Sequence, residues 1–432
     1  MFNKIISITQ AKTEYLYENS LFLQNIDKLI FVSILGVLVT SIWMSSDVIG
    51  FVALITIFLT FTKLLTCRGA SLDTKTHDLW LLAYFMLVVI SLCGSTLFHL
   101  SLKGFLKTVT YLGFYVSVAN YLKDNRRHIP YILGTIGLCV SFESIVGIIQ
   151  NFAKVSEIST WQDVSKLNPE QVMTRVYGTL KPLNPNLLGG YFVAGIPALF
   201  GMAAYFLSER KYVGAISGTV LAVLSCVTLF LTGCRGSYIG MLVIFVGLFA
   251  VSAKYLWQNF KTIYLSVIGI CMTLITTAIL CVSSLRARVL SIFAMRQDSS
   301  NAFRFNVYQS SVEMFKDNWL LGIGVGNQNF REIYGLYMKT GFDALSAYNI
   351  FLEIAVESGI FALIAFLGFL IVLIKDAVEF IMKSSDPKCV IFVATALISV
   401  CAMLVHGLVD TVFFRPQLQF VFWTMVAIIR RQ

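Results

Sequence analysis

The sequence predicts an all-α fold: a polytopic integral membrane bundle of about 12 transmembrane helices with an extracytoplasmic cap loop. Three observations carry that expectation. First, 57% of the 432 residues are hydrophobic and 13% are charged, against roughly a quarter charged in ordinary soluble domains, and the mean hydropathy is +0.78. That balance excludes a soluble enzyme, and with sparse Pro and Cys it also excludes disordered, collagen-like and disulfide-stapled chains. Second, the apolar residues form stretches of about 20 bounded by charge, the length a helix needs to cross a hydrocarbon core of roughly 30 Å. Third, Lys and Arg alternate between abundance and scarcity from one connection to the next.

In order, the apolar stretches cover residues 29–44, 48–65, 79–98, 105–122, 131–152, 187–207, 212–231, 237–253, 262–282, 350–374, 389–408 and 418–429. Backbone polar groups find no water inside a bilayer, and none of these stretches has the two-residue alternation of barrel strands, so helices are expected throughout. The organisation read from them is a cytoplasmic segment 1–28, nine spans over 29–282 with an outer loop 153–186, a large extracytoplasmic loop 283–349, and three spans with a short tail over 350–432.

One set of connections carries Lys4, Lys12 and Lys28, then Lys63, Arg68 and Lys75, Lys123, Arg126 and Arg127, Arg210 and Lys211, and Lys254 and Lys261. Lys375, Lys383, Lys388, Arg430 and Arg431 complete it. The short turns of the other side carry Lys103, Lys107, Arg235 and Arg415. Cytoplasmic loops attract Lys and Arg, so both termini are expected in the cytoplasm and the formal charge of +10 is mostly topology. No basic stretch has the interleaved aromatics of a nucleic-acid surface, so no nucleic-acid partner is expected. The first 28 residues are too polar for a cleaved signal peptide.

The loops 153–186 and 283–348 are too polar for lipid and too long for turns, which points to function. The second is rich in aromatics and should hold short helices, one near 303–315, packed as a cap. The nine cysteines form no C-x-x-C pair and lie mostly inside spans, as small apolar filler does, and the four histidines are scattered, so neither a metal nor any other cofactor is expected.

Charges at span edges are more informative, because an ion in hydrocarbon needs a cavity or a partner. Arg235, in the turn Thr232-Gly-Cys-Arg-Gly-Ser237, can grip a phosphate with a two-pronged guanidinium or anchor the helix end to headgroups. Arg304 follows a capping stretch Asp298-Ser-Ser300 and can face a ligand or pair with Asp298. With Arg286, Arg288 and Arg296 it makes the start of the large loop cationic, attractive to an acidic ligand or to anionic headgroups. Gly322, Gly324 and Gly326 lack the strand of a dinucleotide fold and predict left-handed loop positions instead. Glu353 and Glu357 share a helix face, as acid, base or partners of arginine. His406 and Asp410, at helical i, i+4 spacing, allow a carboxylate to orient an imidazole or a hydrogen bond to tie a helix end, with Arg415 close behind.

Together the stretches TGCRGSYIG from Thr232, Arg304, LGIGVGN from Leu321 and LSAYNIFLEIAVESG from Leu345 resemble the O-antigen ligase and polymerase superfamily. NPNLLGGY from Asn184, RVLSIF from Arg288, DSSNAFRFNVY from Asp298 and HGLVDTVFFRP from His406 resemble, more narrowly, the cyanobacterial inorganic-carbon-transport-B family, associated with bicarbonate transport.

The superfamily resemblance implies metal-independent transfer of a glycan from a polyprenyl pyrophosphate to an acceptor hydroxyl outside the cytoplasmic membrane. Arg235 and Arg304, joined by Arg288 and Arg415, would then bind the donor and stabilise its departing pyrophosphate. It also implies a His before Asn349 as general base. This chain has Tyr348, and a phenol is a poor base at neutral pH, which leaves His406, Asp410 and Glu353 as substitutes. The expected partners are therefore membrane lipid and either a polyprenyl-pyrophosphate glycan or a small anion, in a bacterial plasma or thylakoid membrane. A bicarbonate transporter or its accessory, and a non-catalytic relative, are the rival readings.

Overall fold

The computed structural model describes residues 2–153, 175–258, 260–293 and 299–431. Among them the chain is helical, with no strand. An amphipathic segment opens the chain as α1 (Phe2–Asn19) and α2 (Leu21–Gln24). Then come α3 (Ile26–Thr40), α4 (Ser46–Thr66), α5 (Thr76–Gly94), α6 (Phe98–Asp124), α7 (Ile129–Phe152), α8 (Pro185–Ser208), α9 (Tyr212–Leu231), α10 (Arg235–Leu256) and α11 (Lys261–Cys281). The large loop folds into α12 (Ser283–Ile292), α13 (Ser299–Asp317) and α14 (Asn327–Tyr334). The chain closes with α15 (Ile350–Lys383), α16 (Pro387–His406) and α17 (Pro416–Arg430).

A helix stands at each of the twelve apolar stretches, and nine described helices are long and apolar enough to cross a membrane. The other three have simple reasons for falling short. α3 and α17 have 15 residues each, about 22 Å at 1.5 Å per residue, and α6 carries Lys103, Lys107, Lys123 and Asp124 along its 27 residues. The chain is a multi-pass integral membrane protein.

α8 is the hub. It is buried along nearly its whole length, packed by α7, α9, α10 and α16, whereas α11 is almost bare of protein neighbours. Aromatic side chains knit α17 into the same core, with Phe420 edge-on to Phe114 and Tyr111, and Trp423 beside Tyr115 and Phe369.

The connections grouped by their charge do gather at one end of the bundle. There Lys63 pairs with Asp27 at 2.7 Å, Arg431 with Asp73 at 2.7 Å and Arg430 with Asp78 at 2.7 Å. Lys388 pairs with Glu209, and Lys254 donates to the Ser384 carbonyl at 3.0 Å. α1 joins this end through Gln10, whose amide donates to Leu64 O at 2.9 Å and Ala70 O at 2.8 Å.

At the opposite end the large loop forms the expected cap. Its own small core joins Val307, Met314, Phe330, Tyr334 and Ala347 to Val356 of α15. What seats it is a break in α15. Gly359 leaves the helix at φ 80°, which frees the carbonyls of Val356 and Glu357 to accept from Ile323 N (3.0 Å) and Gly324 N (2.9 Å), while Ile360 N donates to Trp319 O at 2.9 Å. Gly322, Gly324 and Gly326 have φ of 72°, 97° and 116°, the left-handed positions expected of that loop.

Candidate functional site

The starts of α8, α10 and α15 and the first turns of α13 meet at one polar cluster beneath the cap. The cluster is built from the turns before those helices. Cys234 is the N-cap residue of α10, and its Sγ lies 3.7 Å from His406 Nε2 at the end of α16. Asp410, on the turn beyond, accepts from Asn186 Nδ2 at 3.1 Å and from Val412 N at 3.2 Å. Arg304 of α13 faces the same carboxylate at 3.6 Å and hydrogen-bonds Ser300 Oγ at 2.9 Å. Arg175 donates to Thr232 O at 2.8 Å and Asn186 Oδ1 at 2.6 Å, tying the outer loop to α8 and to the α9–α10 turn.

Arg235, half-buried at the first position of α10, donates to Ser291 Oγ at 3.1 Å. Ser291 also accepts, through its carbonyl, from Asn301 at 3.1 Å, one turn before Arg304. Arg304 thus meets the cluster through Asp410, and Arg235, next to Cys234 in the chain, is linked through Ser291 to Asn301 in the first turn of the same helix α13. Gly236 matters sterically, since a Cβ there would lie 3.2 Å from the His406 ring, as would one at Gly190 on the opposite side.

Tyr348 sits within the reach of Asp410, Arg304, Glu353 and Arg415, with the Arg304 guanidinium 5.9 Å from its ring centre. Its backbone is left-handed, φ 53°, and Tyr308 bridges the carbonyls of Tyr348 and Leu408, both at 3.2 Å. Burial, reinforced by Asp410, pushes the Tyr348 phenol up to about 12. The phenol is thus protonated at neutral pH and can donate a hydrogen bond but not act as a base. Because the folded state holds this proton more tightly than the unfolded chain, Tyr348 should cost stability as pH rises from about 10, the ordinary tyrosine value, to about 12. The Tyr348→Phe variant should lose less stability over that window, as read by thermal unfolding in detergent.

Three expectations are corrected. The i, i+4 spacing of His406 and Asp410 is not helical, because α16 ends at His406 and residues 407–409 turn away. Asp410 bonds Asn186 instead, and His406 Nδ1 has no hydrogen-bond partner. Glu353 and Glu357 share a face but meet no arginine among the described residues. Glu357 Oε1 accepts from Gly326 N at 2.9 Å, and Glu353 lies against Ser346 and the backbone of Ala347, with Oε2 unpartnered. Cys234 is not apolar filler, since among the described residues Cys234, His406 and Asp410 bring ligand-type atoms within 4.8 Å of one another, all buried.

Arg415 caps α17, and its guanidinium makes no hydrogen bond or ion pair among the described residues. Arg288 lies in α12, with its side chain outside the described residues, and Arg296 and Asp298 are likewise outside them. Sequence reasoning missed Arg175, Asn186 and Tyr308. Asn186 and Tyr308 sat inside stretches quoted only for their resemblance, and the structure reveals their partners, which lie 224 and 100 residues away.

No curated protein matches the chain. Residues 220–367, from α9 through the cap into α15, match the family model described as O-antigen ligase, and that match supports an O-antigen ligase-like membrane protein.

Proposed function

We propose that the protein engages a polyprenyl-pyrophosphate-linked glycan at the outer face of a bacterial plasma membrane, with both termini in the cytoplasm. The observation that carries this reading is that Arg304 faces Asp410 of the cluster while Arg235, at the start of α10, is linked through Ser291 to Asn301 in the first turn of Arg304's own helix. The pyrophosphate oxygens accept from both guanidiniums, and Arg304 exchanges part of its contact with Asp410 for the ligand. Tyr348 donates a hydrogen bond from its protonated phenol.

In a transfer reaction an acceptor hydroxyl forms the new bond to the sugar's anomeric carbon as the bond to pyrophosphate breaks, and the bonding pair leaves with the pyrophosphate. Charge then grows where the two arginines stand, so they bind the departing group more tightly than the intact donor. The acceptor proton goes to Glu353, whose Oε2 is buried without a hydrogen-bond partner among the described residues.

The test is equilibrium binding of a polyprenyl-pyrophosphate glycan to the full chain in nanodiscs. Charge-assisted hydrogen bonds are worth about 1.5–3 kcal/mol each, so Arg235→Ala and Arg304→Ala should each weaken binding by about 10–100-fold. Unchanged affinity in both variants defeats the proposal. Arginine-dependent uptake of labelled bicarbonate into proteoliposomes, without glycan binding, would assign the same residues to anion transport instead.

A further inference from the structure

Beneath the two arginines, Cys234 has no role in donor binding, yet its surroundings differ from those of every other buried cysteine described. Cys67, Cys139 and Cys226 lie in the apolar core. Cys234 faces a fully buried imidazole and, within 4.8 Å, a buried carboxylate. We propose that the Cys234 thiolate, the His406 imidazole and the Asp410 carboxylate form a three-ligand site for a divalent zinc-like cation.

Four observations support the assignment. The sulfur–nitrogen separation of 3.7 Å is close to the edge of a zinc tetrahedron, about 3.5 Å for bonds of about 2.3 Å to sulfur and about 2.0–2.1 Å to nitrogen. The donor set mixes one thiolate, one imidazole and one carboxylate, which suits a borderline-soft ion rather than calcium or magnesium. The three ligands come from the α9–α10 turn and from the end of α16 with the turn beyond it, so the ion would pin two segments 172 residues apart in the chain. Finally, the carboxylate ligand has a supporting shell. Asp410 is held by Asn186 and by Val412 N, and Asn186 by Arg175.

The neighbouring cations do not forbid this. Arg304 lies 3.6 Å from Asp410 and Arg235 follows Cys234 in the chain, but thiolate and carboxylate together neutralise a dication. Metal binding releases the thiol proton to solvent. Three protein ligands leave a fourth position open, the pattern of sites that take water or a ligand oxygen.

The experiment uses the full chain in detergent, stripped with chelator, re-equilibrated with Zn2+ and desalted, with metal content measured directly. Co2+ serves as a second probe through its thiolate charge-transfer absorption. The expected result is about one ion per chain, reduced at least tenfold in Cys234→Ser and in His406→Gln, and unchanged in Cys226→Ser. Loss of the supporting amide in Asn186→Ala should weaken affinity about 10–100-fold. A wild-type chain that retains no zinc, or a metal content that survives both ligand substitutions, overturns the proposal. The near-isosteric Cys234→Ser guards against a folding artefact, and because the readout is metal content, the outcome is independent of whether a polyprenyl pyrophosphate binds.

Discussion

Replacing Gly359 by valine is expected to unseat the cap from the bundle and cost about 2–5 kcal/mol. Two effects add. The left-handed backbone at φ 80° is unfavourable for a β-branched residue by about 1–2 kcal/mol, and overpacking typically adds about 1–3 kcal/mol. The second is severe here, because a Cβ at Gly359 would lie 2.2 Å from the backbone oxygen of Leu320, which cannot swing aside as a side chain can. Relief requires pulling residues 319–324 away from α15, which breaks the hydrogen bonds from Ile323, Gly324 and Ile360. The cap of the Gly359→Val variant should therefore become sensitive to limited proteolysis in detergent, with a lowered unfolding temperature. Gly341 supplies the control, since it has φ 86° but no neighbour within 4 Å of a new Cβ. Gly341→Val should carry the strain alone. Equal losses in the two variants would show that the junction is not seated as described.

At the other end of the molecule, Asp78→Ala should destabilise the protein by about 3–5 kcal/mol, the usual cost of leaving a buried ion without its partner. Asp78 Oδ2 accepts from Arg430 Nε at 2.7 Å and from Lys75 N at 2.8 Å, while Oδ1 accepts from the Tyr115 hydroxyl at 2.6 Å. Arg430 is 5% exposed, so water cannot replace the carboxylate. Its remaining partner is Asp73, through the backbone carbonyl and a side-chain contact at 3.8 Å. The double variant Asp78→Ala with Arg430→Met should recover much of the loss, because removing both charges also removes their desolvation. A double-mutant cycle on unfolding in detergent reads this directly. Additive losses would mean that the pair is not coupled.

How far the sequence could be read depended on the range of the interaction involved. The helical stretches were readable because a bilayer imposes one local rule, about 20 apolar residues with backbone groups paired internally. The left-handed glycines of 322–326 were readable because positive φ is decided within a few residues. The arginines at 235 and 304 stood out as charges where charges are costly.

The helical pairing of His406 with Asp410 failed for a local reason in which tertiary contacts won. Gly407 O is taken by Ile350 N at 2.9 Å and Leu408 O by Asn349 and Tyr308, so the chain leaves the helix to meet the start of α15. Pairing with arginine was one of the roles open to Glu353 and Glu357. The kink at Gly359 instead brings the cap backbone to Glu357 first.

What the sequence by itself determined is the helical membrane body, the grouping of basic connections at one end, and a helix-bearing loop at the other, all consequences of spacing and solvent. Only the tertiary structure decided that Cys234, a residue composition assigns to filler, stands against His406, 172 positions away, and that Asp410 answers to Asn186 and Arg304 rather than to its near neighbour. Such encounters depend on how closely helices pack and where each one ends. Neither quantity is encoded within any single stretch of residues.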